Sequence, residues 1–224
     1  MEEPKTCRIV SPGSFEAEQH FYPRVLNANL HPMVKMFLAL GNQRIARRYC
    51  HLHPGANYDK LIELFSYTPA HFFWAGSDLF SVTNEKAQRQ MIVIETNSCP
   101  SGQKSMPCDD AEESNGFYAL IRHSLLYVLE HMVQISGRLA VVYDKNKMEA
   151  TGYAAAMADV CKEDVLLAEY HMEDQNPPVR WQDEVMYVRD ENHGKDFLSL
   201  DVLKACRLGS SSSSVSVCDS KALE

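Results

Sequence analysis

Glu95, Asn97, Ser98, Ser101, Gly102 and Lys104 all fall within the stretch "MIVIETNSCPSGQKSMP", residues 91–107. Its first half is apolar and β-prone; its second half is polar, small and turn-forming. Side chains alternate faces along a strand, so Glu95 and Asn97 project together, with Thr96 on the other face. By the same alternation Met91 and Val93 share their face, and Ile92 and Ile94 oppose it. A carboxylate and an amide oxygen at the end of a strand are hard donors, of the kind Mg²⁺ accepts beside water and phosphate oxygens. Pro100, Ser101 and Gly102 turn the chain at once, and Gly102 lets backbone N–H groups approach an anion. Lys104 places a positive charge nearby. Asp78, in the preceding apolar run, adds a second carboxylate if the two runs pair as a hairpin. The same residues also read as a solvated Glu followed by ordinary Asn-Ser and Pro-Ser-Gly turn chemistry. Spacing alone leaves both readings open.

Other reactive residue types carry less. Cys99 has no local base to make it a nucleophile. His51 and His53 are two apart, the wrong spacing for one face of a helix. Asp144 and Asn146 read as a turn after a strand, and Phe72, Phe73 and Trp74 as core. Arg44, Arg47 and Arg48 read as a solvated helix face.

These residues must be held by an alternation of helices and strands. "MVKMFLALGNQRIARRYCHL" follows Pro32 and puts Val34, Phe37, Leu38, Ile45 and Tyr49 on a helical stripe, with a break at Gly41. "ANYDKLIELFSY" is a second helix with Asn57 or Tyr58 near its start and Leu61, Leu64 and Phe65 on one face. "HFFWAGSDLFSV" and "MIVIET", separated by the polar "NEKAQRQ", form a hairpin. Ser114–Gln134 is a helix with Leu120, Leu125, Val128, Leu129 and Met132 as its stripe, ended by Gly137. "RLAVVYD", "EATGYAAAMADVC" and "VLLAEYHM" follow as strand, helix and strand, a parallel βαβ unit. "VRWQDEVMYVRD" is one more strand or a hairpin. From Gly209 five consecutive serines and few large apolar groups predict disorder. Residues 14–30 give no clear pattern.

The 224 residues are 45% hydrophobic with a formal net charge of −8. That balance argues against nucleic acid, whose affinity rests on neutralised phosphates. No run approaches the ~20 apolar residues of a membrane span, and no secretory leader opens the chain. Seven cysteines without a CxxC pair fit reduced thiols in a cytoplasmic protein and argue against zinc.

"WAGSDLF", a polar loop and "MIVIETNSCPSG" together resemble the metal-binding strand pair of ATP-grasp ligases, closest to the circularly permuted, glutathionylspermidine synthase-like group. The resemblance covers roughly residues 30–200. It implies an α/β fold in which an ATP-grasp-like strand pair with helices (1–112) is followed by a Rossmann-like βαβ unit (113–203); the Ser-rich composition adds a disordered tail over 204–224. It implies Asp78, Glu95 and Asn97 as ligands of the Mg²⁺ of ATP, with Ser98, Ser101, Gly102 and Lys104 in the adjoining phosphate- or substrate-binding loop. Gly76 stands where the family usually has an Arg, and the family's lysine- and glycine-rich nucleotide grip should lie beyond the βαβ unit. The expected function is therefore that of a partial or truncated relative of ATP- and Mg²⁺-dependent carboxylate–amine or carboxylate–thiol ligases. Its partners are then a small carboxylate and an amine or thiol, not nucleic acid or membrane. The alternative is a non-catalytic interaction protein of the same fold.

Overall fold

The computed structural model describes residues 7–67, 75–97, 102–106, 115–126, 129, 138–171, 173–182, 185–189, 198–200 and 205–208. The chain is mixed α/β and divides into two compact units, residues 28–72 and the remainder.

The larger unit is built on a four-stranded sheet. Its strands are β1 (Arg8–Val10), β4 (Leu139–Tyr143), β5 (Val165–Glu169) and β9 (Ala205–Leu208), in the spatial order β1-β5-β4-β9. β4 runs parallel to both β5 and β9, and β1 pairs antiparallel with β5. β4 is buried along its whole length, as a parallel strand covered on both faces must be. The connection between β4 and β5 is α7 (Lys147–Cys161). This is the strand–helix–strand unit expected from Arg138 to Met172.

α7 is buried nearly all round, through Ala150, Gly152, Tyr153 and Ala154–Ala158. Its alanines have no bulk to hold it off the sheet. α6 (Gly116–Ile121), capped by the Asn115 side chain on the Phe117 N–H at 3.0 Å, packs beside it. α1 (Ala17–His20) and α2 (Pro23–Leu26) complete that layer. Phe117 is its centre: its ring lies 5.3 Å from Phe21 and 5.0 Å from Tyr153, edge to face in both pairs. Of the helix expected over Ser114–Gln134, the described residues show a helical run through Leu126 whose buried side is not the expected one; Val128 and Met132 of the expected stripe lie outside the described residues. α6 continues into a π-helical stretch, Arg122–Leu126. Phe117, Tyr118, Ile121 and Ser124 are buried while Leu120 and Leu125 are only half-buried. The buried residues follow three- and four-residue spacings of their own, set by the aromatic packing of Phe117 against Phe21 and Tyr153.

The opposite face of the sheet carries β6 (Val179–Gln182), β7 (Val185–Val188) and β8 (Leu198–Leu200), an antiparallel sheet. Val179, Met186 and Val188 bury against Ala140, Val142, Leu166 and Ala168. Cys7 joins this cluster, and its N–H donates to the Arg189 carbonyl at 2.6 Å.

β2 (Gly76–Thr83) and β3 (Arg89–Asn97) form the expected hairpin. Asn84 organises its loop: the side-chain oxygen accepts from the Lys86 and Gln88 N–H groups, both at 3.0 Å.

The smaller unit holds α3 (Pro32–Leu38), α4 (Asn42–Leu52) and α5 (Tyr58–Ser66). The break at Gly41 and the Asn57 cap, with its oxygen 2.9 Å from the Lys60 N–H, match the sequence expectation. The described part of the expected apolar stripe faces outward. Phe37, Ile45, Tyr49, Leu64 and Phe65 are exposed, and Ala46 is the one buried residue among the described side chains of these helices. Among the described residues no helix is long and apolar enough to cross a membrane. Ala205–Leu208, within the expected disordered tail of 204–224, is instead strand β9 paired with β4; the remainder from Gly209 lies outside the described residues.

Candidate functional site

The hairpin places Asp78 directly opposite Glu95 and Gly76 opposite Asn97. Directly opposed residues share a face, with Cβ atoms about 4.5–5.5 Å apart. Asp78 and Glu95 therefore form a carboxylate pair toward one end of the hairpin. The Asn97 amide donates to Glu95 Oε1 at 3.3 Å, which puts Glu95 and Asn97 on one face. Asn97 Oδ1 then remains as an acceptor beside the two carboxylates.

The face of this pair differs from the one that alternation predicts. Leu79 opposes Val93, but Asp78 opposes Glu95, so the register slips by one residue at Ile94. A one-residue slip moves every side chain beyond it to the other face. Glu95 accordingly shares its face with Phe80 and Ile92, not with Met91 and Val93. A period-two reading misses the bulge because it assumes unbroken alternation along β3, and the extra residue at Ile94 interrupts it.

Both carboxylates are exposed and Asn97 is half-buried. Like charges directly opposed across two strands repel, and a bound cation removes that repulsion. Two carboxylates and an amide oxygen are a hard-donor set suited to Mg²⁺ with water and phosphate oxygens completing its shell. Among the described residues no three His, Cys, Asp or Glu side chains gather as a metal site, so the hairpin set depends on the asparagine for its third protein donor.

The adjoining loop is placed only in part. Ser98 and Ser101 lie outside the described residues. Gly102 has φ −117°, a backbone conformation any residue adopts, so no special freedom of glycine is used there. Lys104 sits in a 3₁₀ turn, Gln103–Ser105, with its side chain buried. Its ammonium pairs with Glu149 Oε2 at 3.0 Å and donates to Asn146 Oδ1 at 3.3 Å. The other Glu149 oxygen accepts the Gln103 N–H at 2.9 Å. Lys104 was expected as a charge for the phosphate loop; here it fastens that segment to the first turn of α7. Asn146, at the N-cap of α7 with φ 56°, is held in the left-handed region that asparagine tolerates.

No protein-family model, no curated protein and no solved structure matches the chain. The reading of its site rests on its own geometry.

A second polar group stands at the carboxyl end of the parallel strands and was not anticipated. Tyr143 and Glu169 are cross-strand neighbours. The Tyr143 hydroxyl donates to Glu169 Oε2 at 3.2 Å, and His171 Nε2 lies 3.2 Å from Oε1. The hydrogen bond from His171 holds the Glu169 carboxyl below the usual range, against a smaller opposing effect of burial. Burial first, and the Glu169 charge second, push the Tyr143 phenol up to about 12. Glu169 and His171 are two apart at a strand end, the same spacing as Glu95 and Asn97, and that repetition was the available signal.

Proposed function

We propose that the β2–β3 hairpin is a Mg²⁺-triphosphate platform of the ATP-grasp type, in a protein related to ATP- and Mg²⁺-dependent carboxylate–amine or carboxylate–thiol ligases. The observation that carries this reading is the direct opposition of Asp78 and Glu95, with Asn97 bonded to Glu95 on the same face. The resemblance of "WAGSDLF" and "MIVIETNSCPSG" to the family's strand pair supports it, as does the parallel β4–α7–β5 unit that follows, which fits a Rossmann-like element.

Asp78, Glu95 and Asn97 would hold the metal. A Mg²⁺ held there would supply charge neutralisation to a transferred phosphoryl group and in-line orientation toward a carboxylate. The chain's own residues do three things. The opposed carboxylates set the position of the cation, Asn97 orients the Glu95 carboxylate, and the Lys104–Glu149 pair anchors the segment after the hairpin. Nucleotide binding without ligation is the expected activity of this chain: the triphosphate needs further cations along its length, Lys104 is committed to Glu149, and Gly76 stands where the family carries its Arg.

Calorimetric titration of the chain with Mg²⁺-ATP, beside Glu95→Ala, tests the reading. A binding heat that the variant loses supports it. No heat, or equal heat from both proteins, overturns it. The alternative of a non-catalytic interaction element is favoured by a separate observation: Leu79, Phe80 and Met91–Ile94 are all exposed, on both faces of the hairpin. In that case ATP produces no heat.

A further inference from the structure

Residues 28–72 hold five Lys and Arg against two Asp and Glu, whereas the remaining residues hold seventeen against 28. One helical unit of an acidic chain is thus cationic. At 3.6 residues per turn, Arg44, Arg47 and Arg48 share one side of α4, and Ile45, Tyr49 and Leu52 share the adjoining side. All six are exposed, Leu52 by 61%. α3 extends the same surface. Arg48 Cζ lies 5.1 Å from the centre of the Phe37 ring, and Met33 and Met36 are more than half exposed. Apolar and cationic groups are therefore contiguous here, and a contiguous exposed apolar surface marks an interaction site.

We propose that this unit docks on an anionic lipid bilayer, with Arg44, Arg47 and Arg48 meeting headgroup phosphates while Ile45, Tyr49, Leu52 and the α3 methionines enter the boundary between headgroups and acyl chains. The charge fits: the unit's excess of arginine is complementary to an anionic leaflet. The side-chain chemistry selects lipid over an acidic protein. Exposed methionine and leucine side chains beside arginines suit a fluid surface that closes around them. Arginine reaches back to the headgroups over an apolar stem. The expectation of no membrane partner rested on the lack of a spanning run, and lying on a surface requires none. The proposal is independent of the hairpin and its metal.

The test is co-sedimentation of the full chain with phosphatidylcholine vesicles, with and without phosphatidylserine, and separately its binding to soluble polyglutamate. The chain is expected to sediment with the phosphatidylserine vesicles only. Partitioning should fall about five-fold for each arginine replaced in Arg44→Gln, Arg47→Gln and Arg48→Gln, and should also fall in Leu52→Ser. Absence from both vesicle types, or equal binding to both, overturns the proposal. So does tight polyglutamate binding that Leu52→Ser leaves unchanged, which assigns the surface to an acidic macromolecule. The wild-type comparison of the two vesicle types decides the matter even if a variant fails to fold.

Discussion

Asp78 stands directly opposite Glu95, one residue out of the register that pairs Leu79 with Val93 and every residue from there to the turn. The slip bends the strand at Ile94 and gathers two carboxylates on the face that also carries the Asn97 amide. Bulges recur where a strand must re-aim a side chain, and this one re-aims a charge toward a like charge.

A divalent ion is the expected occupant of that pair. Mn²⁺ added to isotope-labelled protein should broaden the amide resonances of Asp78 and Glu95 before those of β6 and β7. Asp78→Asn should weaken the effect more than about tenfold, the low end of what even an outer-shell metal partner contributes. Broadening spread evenly over the acidic surface would remove the case for a site.

The Lys104–Glu149 pair should respond to substitution as a buried pair does. Both side chains are nearly inaccessible, at 10% and 1%. Lys104→Met takes the ammonium partner from the buried Glu149 carboxylate, and breaking a buried pair by removing one partner costs about 3–5 kcal/mol. Adding Glu149→Gln removes that charge and should recover part of the loss. Urea denaturation of the single and double variants measures both; equal stability of Lys104→Met and wild type would show the pair to be idle.

Gly152→Ala should destabilise, although alanine is normally the better helix former by about 1 kcal/mol. A Cβ at this position would lie 2.8 Å from both Cε1 and Cζ of Phe117. Phe117 is fully buried and boxed in by Phe21 and Tyr153, so it has nowhere to move. Overpacking of this kind costs about 1–3 kcal/mol, which exceeds the propensity gain. Thermal melts should show Tm lowered by several degrees.

His20 predicts a pH dependence. It is buried, and desolvation pulls its pKa below 6.5 despite the opposing effects of the Met148 backbone and Glu16. The unfolded chain therefore takes up a proton that the folded state resists. Stability from this group is complete above the unfolded pKa and is lost as pH falls from about 6.5 through the lower folded value. Denaturation midpoints measured between pH 7.5 and about 5 should decline, and His20→Gln should flatten the decline. Identical slopes in the two proteins would assign the loss to other groups.

Much of the secondary structure was legible in local chemistry. Pro32 and Asn57 marked helix starts, Gly41 marked a break, and the apolar runs at Leu139–Tyr143 and Val165–Glu169 flanking an alanine-rich helix announced the parallel pair. Those signals are local because capping bonds and side-chain periods span only a few residues. Glu95 and Asn97 shared a face for the same reason.

Tertiary structure alone decided the rest. Alternation put Glu95 and Asn97 together but assumed an unbroken period along β3, so the bulge at Ile94 went unseen and the face of the carboxylate pair was misread. The apolar stripe of α3–α5 was legible, but not its exposure, because periodicity reports which side of a helix is apolar and not what covers it. Arg8–Val10 carries no mark of its place beside β5, and Lys104 none of its bond to Glu149 across 45 residues. Such pairings depend on groups distant in sequence meeting only once the core has formed, and no local window of the chain contains both partners.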